Sequence, residues 1–438
     1  MQWAVLYDRS MGLSAVGQQR YSNPLVAWCL YDWANSAFTT LVVTFLYAAY
    51  FTENFADDPG RGTALWARGI TVSALIIAGL APIAGALADR GYRRHYLIGC
   101  SVLCVFATAA LAFIRPDSSY AVVMALGVFV VANVAFELAM VFYNAFLPAI
   151  AKPTEVGRVS GYGWGLGYAG GLGALLVALL GFVTESPWFG MSTEDGFNLR
   201  ATNLLVAAWF LVFSVPAFIY LRDESVSVGS VSTRGVFRQL VETVRRLRRY
   251  DQVTRFLLAR LFFNDGLVTI FAFGGIYAVG TFDFTFSELI AFGIVINVGA
   301  GVGAFLFGFV DDRIGAKNTV LVSVVALGVA TLLGAVAPTR DWFWMSAVFV
   351  GIFAGPNQSA SRSFMARVVP EQHKAEFFGL FAFSGKVTSF VGPLLLGLLA
   401  DAYSQRVGVG SLVLFFVVGG ILLWKVDELK AVATMQQS

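Results

Sequence analysis

The sequence predicts an all-α membrane protein with twelve transmembrane helices in two pseudo-symmetric six-helix bundles. The first observation is composition: of 438 residues, 58 % are hydrophobic and only 13 % are charged, whereas about 25 % are charged in an average soluble protein. The second is that apolar runs of about 20 residues, long enough to cross a bilayer, recur along the chain. The third is a short signature that occurs once in each half. Lipid is therefore the predicted solvent for most of this chain.

Charged breaks between the apolar runs predict the individual helices. The spans are 25–51, 65–88, 95–114, 119–148, 160–183, 202–221, 254–280, 287–310, 317–337, 342–365, 377–401 and 409–426. The loops on one side carry few basic residues, namely Arg61, Arg115, Arg200, Arg340 and Arg406. Because cytoplasmic loops are enriched in Lys and Arg, both termini are predicted to be cytoplasmic. Residues 1–20 lack a continuous apolar core, so we expect the first span to direct insertion without a cleaved signal peptide.

A long loop divides the chain into two sets of six spans. It predicts an N-terminal bundle at 1–221, a linker at 222–253 and a C-terminal bundle at 254–438. The linker is rich in arginine, and its apolar residues are spaced on one helical face: Phe237, Leu240, Val241, Val244 and Leu247. A helix with one apolar and one basic face is typical of a segment that lies on anionic lipid, which we favour over a nucleic-acid site.

The signature is a glycine four residues before an aspartate that an arginine follows. It occurs in "GALADRGYRR" with Gly85, Asp89 and Arg90, and in "GFVDDRIGAK" with Gly308, Asp312 and Arg313. Each glycine would let two helices approach closely in lipid. Each aspartate is predicted to meet a helix N-terminus or a basic partner where the halves touch, while the arginines anchor the turn. A parallel internal repeat of this kind is expected for a transporter built from two related halves.

The repeated signature, in a chain of twelve spans, resembles the loop motif of the major facilitator superfamily. The second copy matches its loop motif at Gly308, Asp312, Arg313, Gly315 and Lys317. The first copy departs from it at Gly91, which is one place early, and at Tyr92.

Three further stretches resemble the vacuolar effluxer branch of that superfamily. They are "YDWANSAFTT" (31–40), "FFNDGLVTI" (262–270) and residues 358–395. The resemblance implies the major facilitator fold and secondary transport, with amino acids as the solute in fungal members. The short chain and tight loops look bacterial, so a bacterial inner membrane is expected.

Polar residues are concentrated in spans 1, 4, 7 and 10, whereas spans 3, 6, 9 and 12 carry no mid-span charge. The candidate substrate and proton-coupling residues are Asp32, Asn35, Glu137, Asn144, Asn264, Asp265, Gln358, Arg362 and, in span 11, Lys386. Ionisable residues inside a membrane usually face a bundle interior or an aqueous cavity. The pattern predicts that spans 1, 4, 7 and 10 line a central cavity and that spans 3, 6, 9 and 12 face lipid.

The three acids suggest the chemistry of that cavity. By helix rise, Asp32 and Glu137 would lie at similar depth, with Asp265 near the midplane. We expect one or more of them to carry a coupling proton or to contact a cationic group of the substrate. The alternative is a permanent structural pair, such as Asp265 or Glu137 with Arg260 or Arg362.

Two basic residues belong to the same hypothesis. Lys386 needs an anionic partner, either a protein acid or a substrate carboxylate. Arg362 could bind a substrate carboxylate, or form a gate-closing salt bridge with Glu376 near the cytoplasmic surface. Snorkelling of Arg362 and Glu376 to the headgroups is the alternative to that gate.

Glycines in spans 5 and 11 indicate close helix contacts. The first group lies in "GYGWGLGYAGGLG" (161–173), and the second comprises Gly385, Gly392 and Gly397. Contact between the two halves during rocking is the predicted use, and tight static packing is the alternative.

Together these features predict a secondary active transporter for a small polar solute, with an amino acid among the candidates and a proton as the coupling ion. No nucleotide-binding loop is present, and Cys29, Cys100 and Cys104 have no zinc-site spacing. We therefore expect no enzyme activity, catalytic residue, cofactor, metal or nucleic-acid partner. The expected partners are the solute, a proton or other ion, and lipid, with the protein monomeric. The alternatives are proton-driven efflux of lipophilic compounds and a non-transporting receptor or scaffold.

Overall fold

The computed structural model describes residues 22–89, 91–194, 196–223 and 250–436, and these are almost entirely helical. The long helices are α1 (Asn23–Asn54), α2 (Pro59–Ala88), α3 (Arg93–Leu111), α4 (Ala121–Asn144), α5 (Val156–Gly181), α6 (Thr202–Tyr220), α7 (Asp251–Phe282), α8 (Phe286–Ile314), α9 (Ala316–Val336), α10 (Arg340–Val368), α11 (Lys374–Ala402) and α12 (Gln405–Trp424). A shorter helix, α13 (Glu428–Gln436), follows them. The predicted all-α class is confirmed, and each of the twelve predicted spans corresponds to one long helix. Residues 224–249, most of the predicted basic linker, lie outside the described residues, so that segment and the domain boundaries stay predictions.

Helix lengths and composition fit a membrane. Among the described residues, eleven helices are long and apolar enough to cross one. The remaining long helix, α10, has 29 residues but is more polar. Its Asn357 and Arg362 are buried, so these polar groups are hidden from lipid.

The predicted start of the second span is wrong by six residues. Helix α2 begins at Pro59 rather than at residue 65, because the Asp58 side chain accepts a hydrogen bond from the Arg61 N–H at 2.9 Å. An acidic cap followed by proline at the first position is a strong helix start. The segment 59–64 is too polar to be recognised from hydropathy.

Helix α9 shows an outer face suited to lipid. Its exposed large residues recur every three or four positions, at Val322, Val325, Val329, Leu332 and Val336. This spacing gives one apolar stripe, as expected for a helix on the outside of the bundle.

The two halves, α1–α6 (the N-half) and α7–α12 (the C-half), meet along two seams. In one seam α5 packs on α8, and in the other α2 packs on α11. The first described residue and the last one lie at the same end of the bundle, which we call the terminal end. Odd-numbered helices begin at this end, and even-numbered helices end there. A Cβ on Gly85 would collide with the carbonyl oxygen of Ala375, and one on Gly308 would lie 3.0 Å from the Cα of Arg158. The seams are therefore closed at the terminal end by direct backbone approach.

Candidate functional site

An ion pair joins the two halves near the middle of the bundle. Lys386 Nζ of α11 lies 2.5 Å from Glu137 Oε1 of α4, and their side chains are 29 % and 20 % exposed. The acid and the base thus come from opposite halves, and both side chains remain partly exposed. We call Glu137 and Lys386 the central pair.

Helix α11 is interrupted directly after Lys386. Its first part ends at Lys386 and its second begins at Val391, with a turn at 387–390 between them. Backbone that is not helical at membrane depth is tolerated where protein or a cavity satisfies it, and broken helices commonly mark transport sites.

Helix α7 holds this interruption in place. Arg260 donates hydrogen bonds to the Phe381 carbonyl at 2.6 Å and to Ser384 Oγ at 2.9 Å. Asn264 Nδ2 donates to the Gly385 carbonyl at 3.2 Å, and Asp265 Oδ2 accepts from the Gly392 N–H at 3.1 Å. Asp265 therefore satisfies an amide at the start of the second part of α11, and its side chain is buried.

A second ion pair between the halves lies closer to the terminal end. Arg362 Nη1 of α10 is 2.9 Å from Asp32 Oδ2 of α1, and both side chains are buried. The guanidinium also donates to Ser160 Oγ at 3.0 Å, to the Ser160 carbonyl at 2.8 Å and to Asn144 Oδ1 at 3.5 Å. Asn35 Nδ2 in turn donates to Asp32 Oδ1 at 3.4 Å.

Aromatic rings complete the surroundings of Arg362. Its Cζ lies 4.5 Å from the ring centroid of Trp28, 5.5 Å from that of Trp164 and 5.8 Å from that of Tyr143. Cations bind the faces of such rings at these distances. Trp28 and Tyr143 stack on each other, and each donates a side-chain hydrogen bond to the other's carbonyl. We call Trp28, Asp32, Tyr143, Asn144, Ser160 and Trp164 the Arg362 cage.

The last predicted cavity residue, Gln358, also bridges the halves. Its Oε1 accepts a hydrogen bond from the Tyr168 hydroxyl of α5 at 2.8 Å. The neighbouring Ser359 carbonyl accepts from Ser160 Oγ at 2.7 Å. Helix α10 is therefore hydrogen-bonded to α5 at successive residues.

The structure corrects the prediction that three acids share one chamber. Asp32 and Asp265 are enclosed in separate contacts, and Glu137 alone of the three remains partly exposed. The partners explain this: Asp32 meets an arginine of the other half, and Asp265 meets an amide in a helix interruption, neither of which sequence spacing reveals.

The predicted basic partners are also corrected. Among the described ion pairs, Glu137 pairs with Lys386 and Arg362 pairs with Asp32. The considered pairs of Asp265 with either arginine and of Glu137 with Arg362 are therefore wrong, whereas Arg260 lies within electrostatic range of Glu137 without a direct ion pair. The considered gate between Arg362 and Glu376 is wrong too, because the Arg362 guanidinium is held by Asp32, Ser160 and Asn144.

The two copies of the repeated signature make equivalent contacts at the terminal end. Asp89 accepts from the N–H groups of Ala375 and Glu376, both at 2.8 Å, at the start of α11. Asp312 accepts from the N–H groups of Gly157 at 2.8 Å and Arg158 at 3.2 Å, at the start of α5. In each half a carboxylate thus lies at a helix N-terminus of the other half, where the helix dipole favours negative charge.

Arginines surround these two carboxylates unequally. Asp89 pairs with Arg93 of its own half at 3.2 Å. Asp312 pairs with Arg158 across the seam at 2.8 Å and with Arg367 at 3.1 Å. Of the signature arginines, Arg313 is exposed and Arg90 lies outside the described residues.

The glycines of α5 and α11 divide between two kinds of contact. In α5, Gly161 approaches α8 of the other half, whereas Gly167 and Gly170 approach α1 of the same half. In α11, Gly385 and Gly392 pack on α7 of the same half. The prediction that these glycines serve contact between the halves is thus wrong for much of the set, because a helix at a seam also packs on its own bundle.

Burial at the α2–α11 seam predicts a pH effect. Burial raises the pKa of the Asp89 carboxyl to about 6, against the lowering effect of Arg93 and of the Ala375 and Glu376 amides. When this seam opens, water reaches Asp89 and its pKa falls toward the ordinary 3.8. The closed seam therefore holds the proton more tightly, so its stability increases as pH falls from about 6 to about 4. Between pH 7 and pH 5 the closed population should rise about tenfold relative to the open one.

Spin labels at His95 and Gln372 can measure this shift. Both residues are exposed at the terminal end, one in each half, and we call them the reporter pair. His373 and Glu376 lie near Asp89 and can titrate as well, so the matched control is Asp89→Asn, which should remove the pH response. If the distance between the labels still changes with pH in Asp89→Asn, another group causes the change and the prediction is contradicted.

Some site features had only weak signals in the sequence. Trp28, Tyr143 and Trp164 lie next to predicted polar residues, but aromatics are common in membrane helices. Residues Phe38–Phe45 of α1 form a π-helical segment, whose apolar sequence does not distinguish it from an α-helix.

The sequence has relatives over most of its length. A family model described as "Vacuole effluxer Atg22 like" matches residues 62–436. The MFS-type transporter YxiO of Bacillus subtilis (strain 168) is 29 % identical over 96 % of this chain and 98 % of its own. Autophagy-related protein 22-1 of Neosartorya fischeri is 23 % identical over 57 % of this chain, and the matched part is 44 % of that longer protein.

Solved structures share the fold. The transporter FucP in its outward conformation superposes with a TM-score of 0.76 and 14 % identity, over 93 % of this chain and 99 % of that chain. The human organic anion transporter MFSD10 superposes with a TM-score of 0.70 and 13 % identity, over 94 % and 100 % of the two chains. Both similarities show the arrangement of the helices.

Proposed function

Because the chain belongs to the Atg22-like family of major facilitator transporters, we propose that it moves a small zwitterionic solute, an amino acid, by proton-coupled alternating access. The central pair is the observation that carries this proposal. A carboxylate and an ammonium from opposite halves are the groups that would bind the amine and the carboxylate of an amino acid. The solute would replace the pair and connect the halves through itself.

The surroundings of the central pair support this role. The interruption of α11 directly follows Lys386, and broken helices commonly lie at the binding sites of transporters. Asn264 lies on the facing side of the interruption. Glu137 is the partly exposed acid of the three, so we assign the proton-coupling role to it once its pair with Lys386 has parted.

The closed seams define the state of the transporter. With both termini in the cytoplasm of a bacterial inner membrane, as the Lys and Arg bias favours, the closed terminal end makes this state outward-facing. The outward conformation of FucP, which has the same fold, supports this assignment. We assign the gate at the terminal end to Gly85, Asp89, Gly308, Asp312 and Glu376. The two arginines of the repeated signature, Arg90 and Arg313, are assigned to the same gate. A monomer suffices, since both halves of the site come from one chain.

Solute counterflow in proteoliposomes tests the proposal. Liposomes preloaded with a mixture of amino acids should accumulate the labelled substrate amino acid, faster when the outside is acidic. Glu137→Gln and Lys386→Met should each lower the rate at least about tenfold, equivalent to 1.4 kcal/mol. Lys425→Met, which removes an exposed lysine after α12, is the matched control and should leave it unchanged. Absence of amino-acid flux would reject the function, whereas normal flux in both site variants would reject the central pair.

One observation favours a second candidate, the efflux of lipophilic compounds. An apolar groove of about 670 Å³ lies between α1, α5 and α8, lined by residues such as Cys29, Leu166 and Phe305. Flux of lipophilic cations instead of amino acids in the same liposomes would support this candidate.

A further inference from the structure

The Arg362 cage is built entirely by the N-half. Trp28 and Asp32 come from α1, Tyr143 and Asn144 from the end of α4, and Ser160 and Trp164 from α5. The cation inside it, the Arg362 guanidinium, comes from α10 of the C-half. One half therefore supplies a complete cation site, and the other half supplies the cation.

A glycine keeps the space for that cation. A Cβ on Gly163 would lie 2.5 Å from Asp32 Oδ2, 2.7 Å from the Trp28 ring and 2.8 Å from Arg362 Nη2. Any other residue at position 163 would fill the volume that the guanidinium and its carboxylate occupy. The chain thus preserves a cavity of guanidinium size in the N-half.

The groups of the cage match a guanidinium in number and direction. The carboxylate takes one Nη, the Ser160 carbonyl takes the other, and Ser160 Oγ takes Nε. The rings of Trp28 and Trp164 supply faces for the delocalised charge. A planar, weakly hydrated cation with several N–H donors is the ligand that such a set favours over a compact ammonium.

We propose that the cage is a binding site for the guanidinium group of a transported solute, and that Arg362 occupies it only while the terminal end is closed. Rocking that opens the terminal end carries α10 away from α1 and α5, which leaves Asp32 without its counter-charge. A solute guanidinium that enters the cage restores that charge and competes with the return of Arg362. The inference rests on the proposed transport function, because it needs the halves to separate at this end.

The solute class follows from this site and the central pair together. The central pair would bind the α-amino and α-carboxylate groups of the solute. The cage would bind the guanidinium of its side chain, either at the same time or at a later position along the pathway. L-Arginine is therefore the probe of choice. L-Citrulline is the matched control, because it has the same length and the same zwitterion but a neutral ureido group.

The first measurement uses the reporter pair in the otherwise intact protein, with the three cysteines replaced by alanine, in lipid nanodiscs. L-Arginine should increase the population with a long distance between residues 95 and 372, and L-citrulline should do so several-fold less. Equal responses to the two amino acids, or no response to arginine, would overturn the proposal.

The second measurement is thermal stability of Arg362→Ala, in which the cage is empty. L-Arginine at 100 times its Kd should favour the folded state about 100-fold, L-citrulline at the same concentration should do so several-fold less, and Asp32→Asn/Arg362→Ala should respond equally to the two. If Arg362→Ala binds arginine but the intact protein does not respond, the cage binds cations only when emptied by mutation, and the proposal fails. If Arg362→Ala cannot be purified, the distance measurement decides.

These measurements separate the inference from the transport function. Both report binding and need no flux. Arginine-specific responses without amino-acid flux would leave the cage intact and reject transport, whereas flux of neutral amino acids without an arginine response would reject the cage alone.

Discussion

Asp32→Ala is expected to shift most molecules to a state that is open at the terminal end. In the closed state the variant would bury the Arg362 guanidinium, which is 2 % exposed, without a counter-charge. Removing one partner of a buried ion pair costs about 3–5 kcal/mol, which corresponds to more than about a hundredfold in the equilibrium. Opening lets water reach Arg362 and avoids that cost. The distance distribution of the reporter pair measures the shift.

Two variants test this explanation. Asp32→Leu/Arg362→Met removes both charges and should return most molecules to the closed state, because no unpaired charge remains. Asp117→Ala removes an exposed acid that pairs with Arg115 in a loop and should have no effect, since surface pairs contribute about 0–1 kcal/mol. An unchanged distance in Asp32→Ala would show that Arg362 tolerates the closed state alone.

Gly85→Val is expected to abolish transport by preventing closure of the α2–α11 seam. The added Cβ would collide with the Ala375 carbonyl oxygen, and that atom belongs to the backbone and cannot move aside as a side chain does. The Ala375 and Glu376 amides would then lose their bonds to Asp89. We expect their hydrogen exchange to accelerate by at least about tenfold, together with the loss of solute counterflow.

Gly79→Val is the matched control for that variant. It lies on the same helix, adds the same side chain and carries the same intrinsic helix cost, but a Cβ on Gly79 meets nothing within 4 Å. Transport should remain. Equal losses in both variants would assign the defect to helix propensity and contradict the role of the seam.

The global organisation could be predicted from sequence because it depends on properties that repeat along the chain. Apolar length determines the spans, and the placement of Asp89 and Asp312 indicated the repeat. Both aspartates contact backbone N–H groups at the start of a helix, α11 for Asp89 and α5 for Asp312. A helix N-terminus was one of the two partners expected for them.

The pairing within the site could not be predicted in the same way. Asp32 and Arg362 are 330 residues apart, and any of several buried bases could have matched that acid. Asp265 Oδ2 accepts from a backbone amide that is available only because α11 is interrupted, and 387–390 contains neither glycine nor proline to indicate the interruption. Which side chains meet depends on how each helix is rotated about its own axis, and hydropathy does not specify that rotation.

The unequal surroundings of Asp89 and Asp312 have a mechanical consequence. Among the described residues, the Asp312 carboxylate holds two amides and the Arg158 guanidinium across the α5–α8 seam, and the Asp89 carboxylate holds two amides across the α2–α11 seam. More work is needed to part the first seam than the second. The pivot of the motion should therefore lie nearer α5 and α8, so that solute leaves through a cleft that widens first beside α2 and α11.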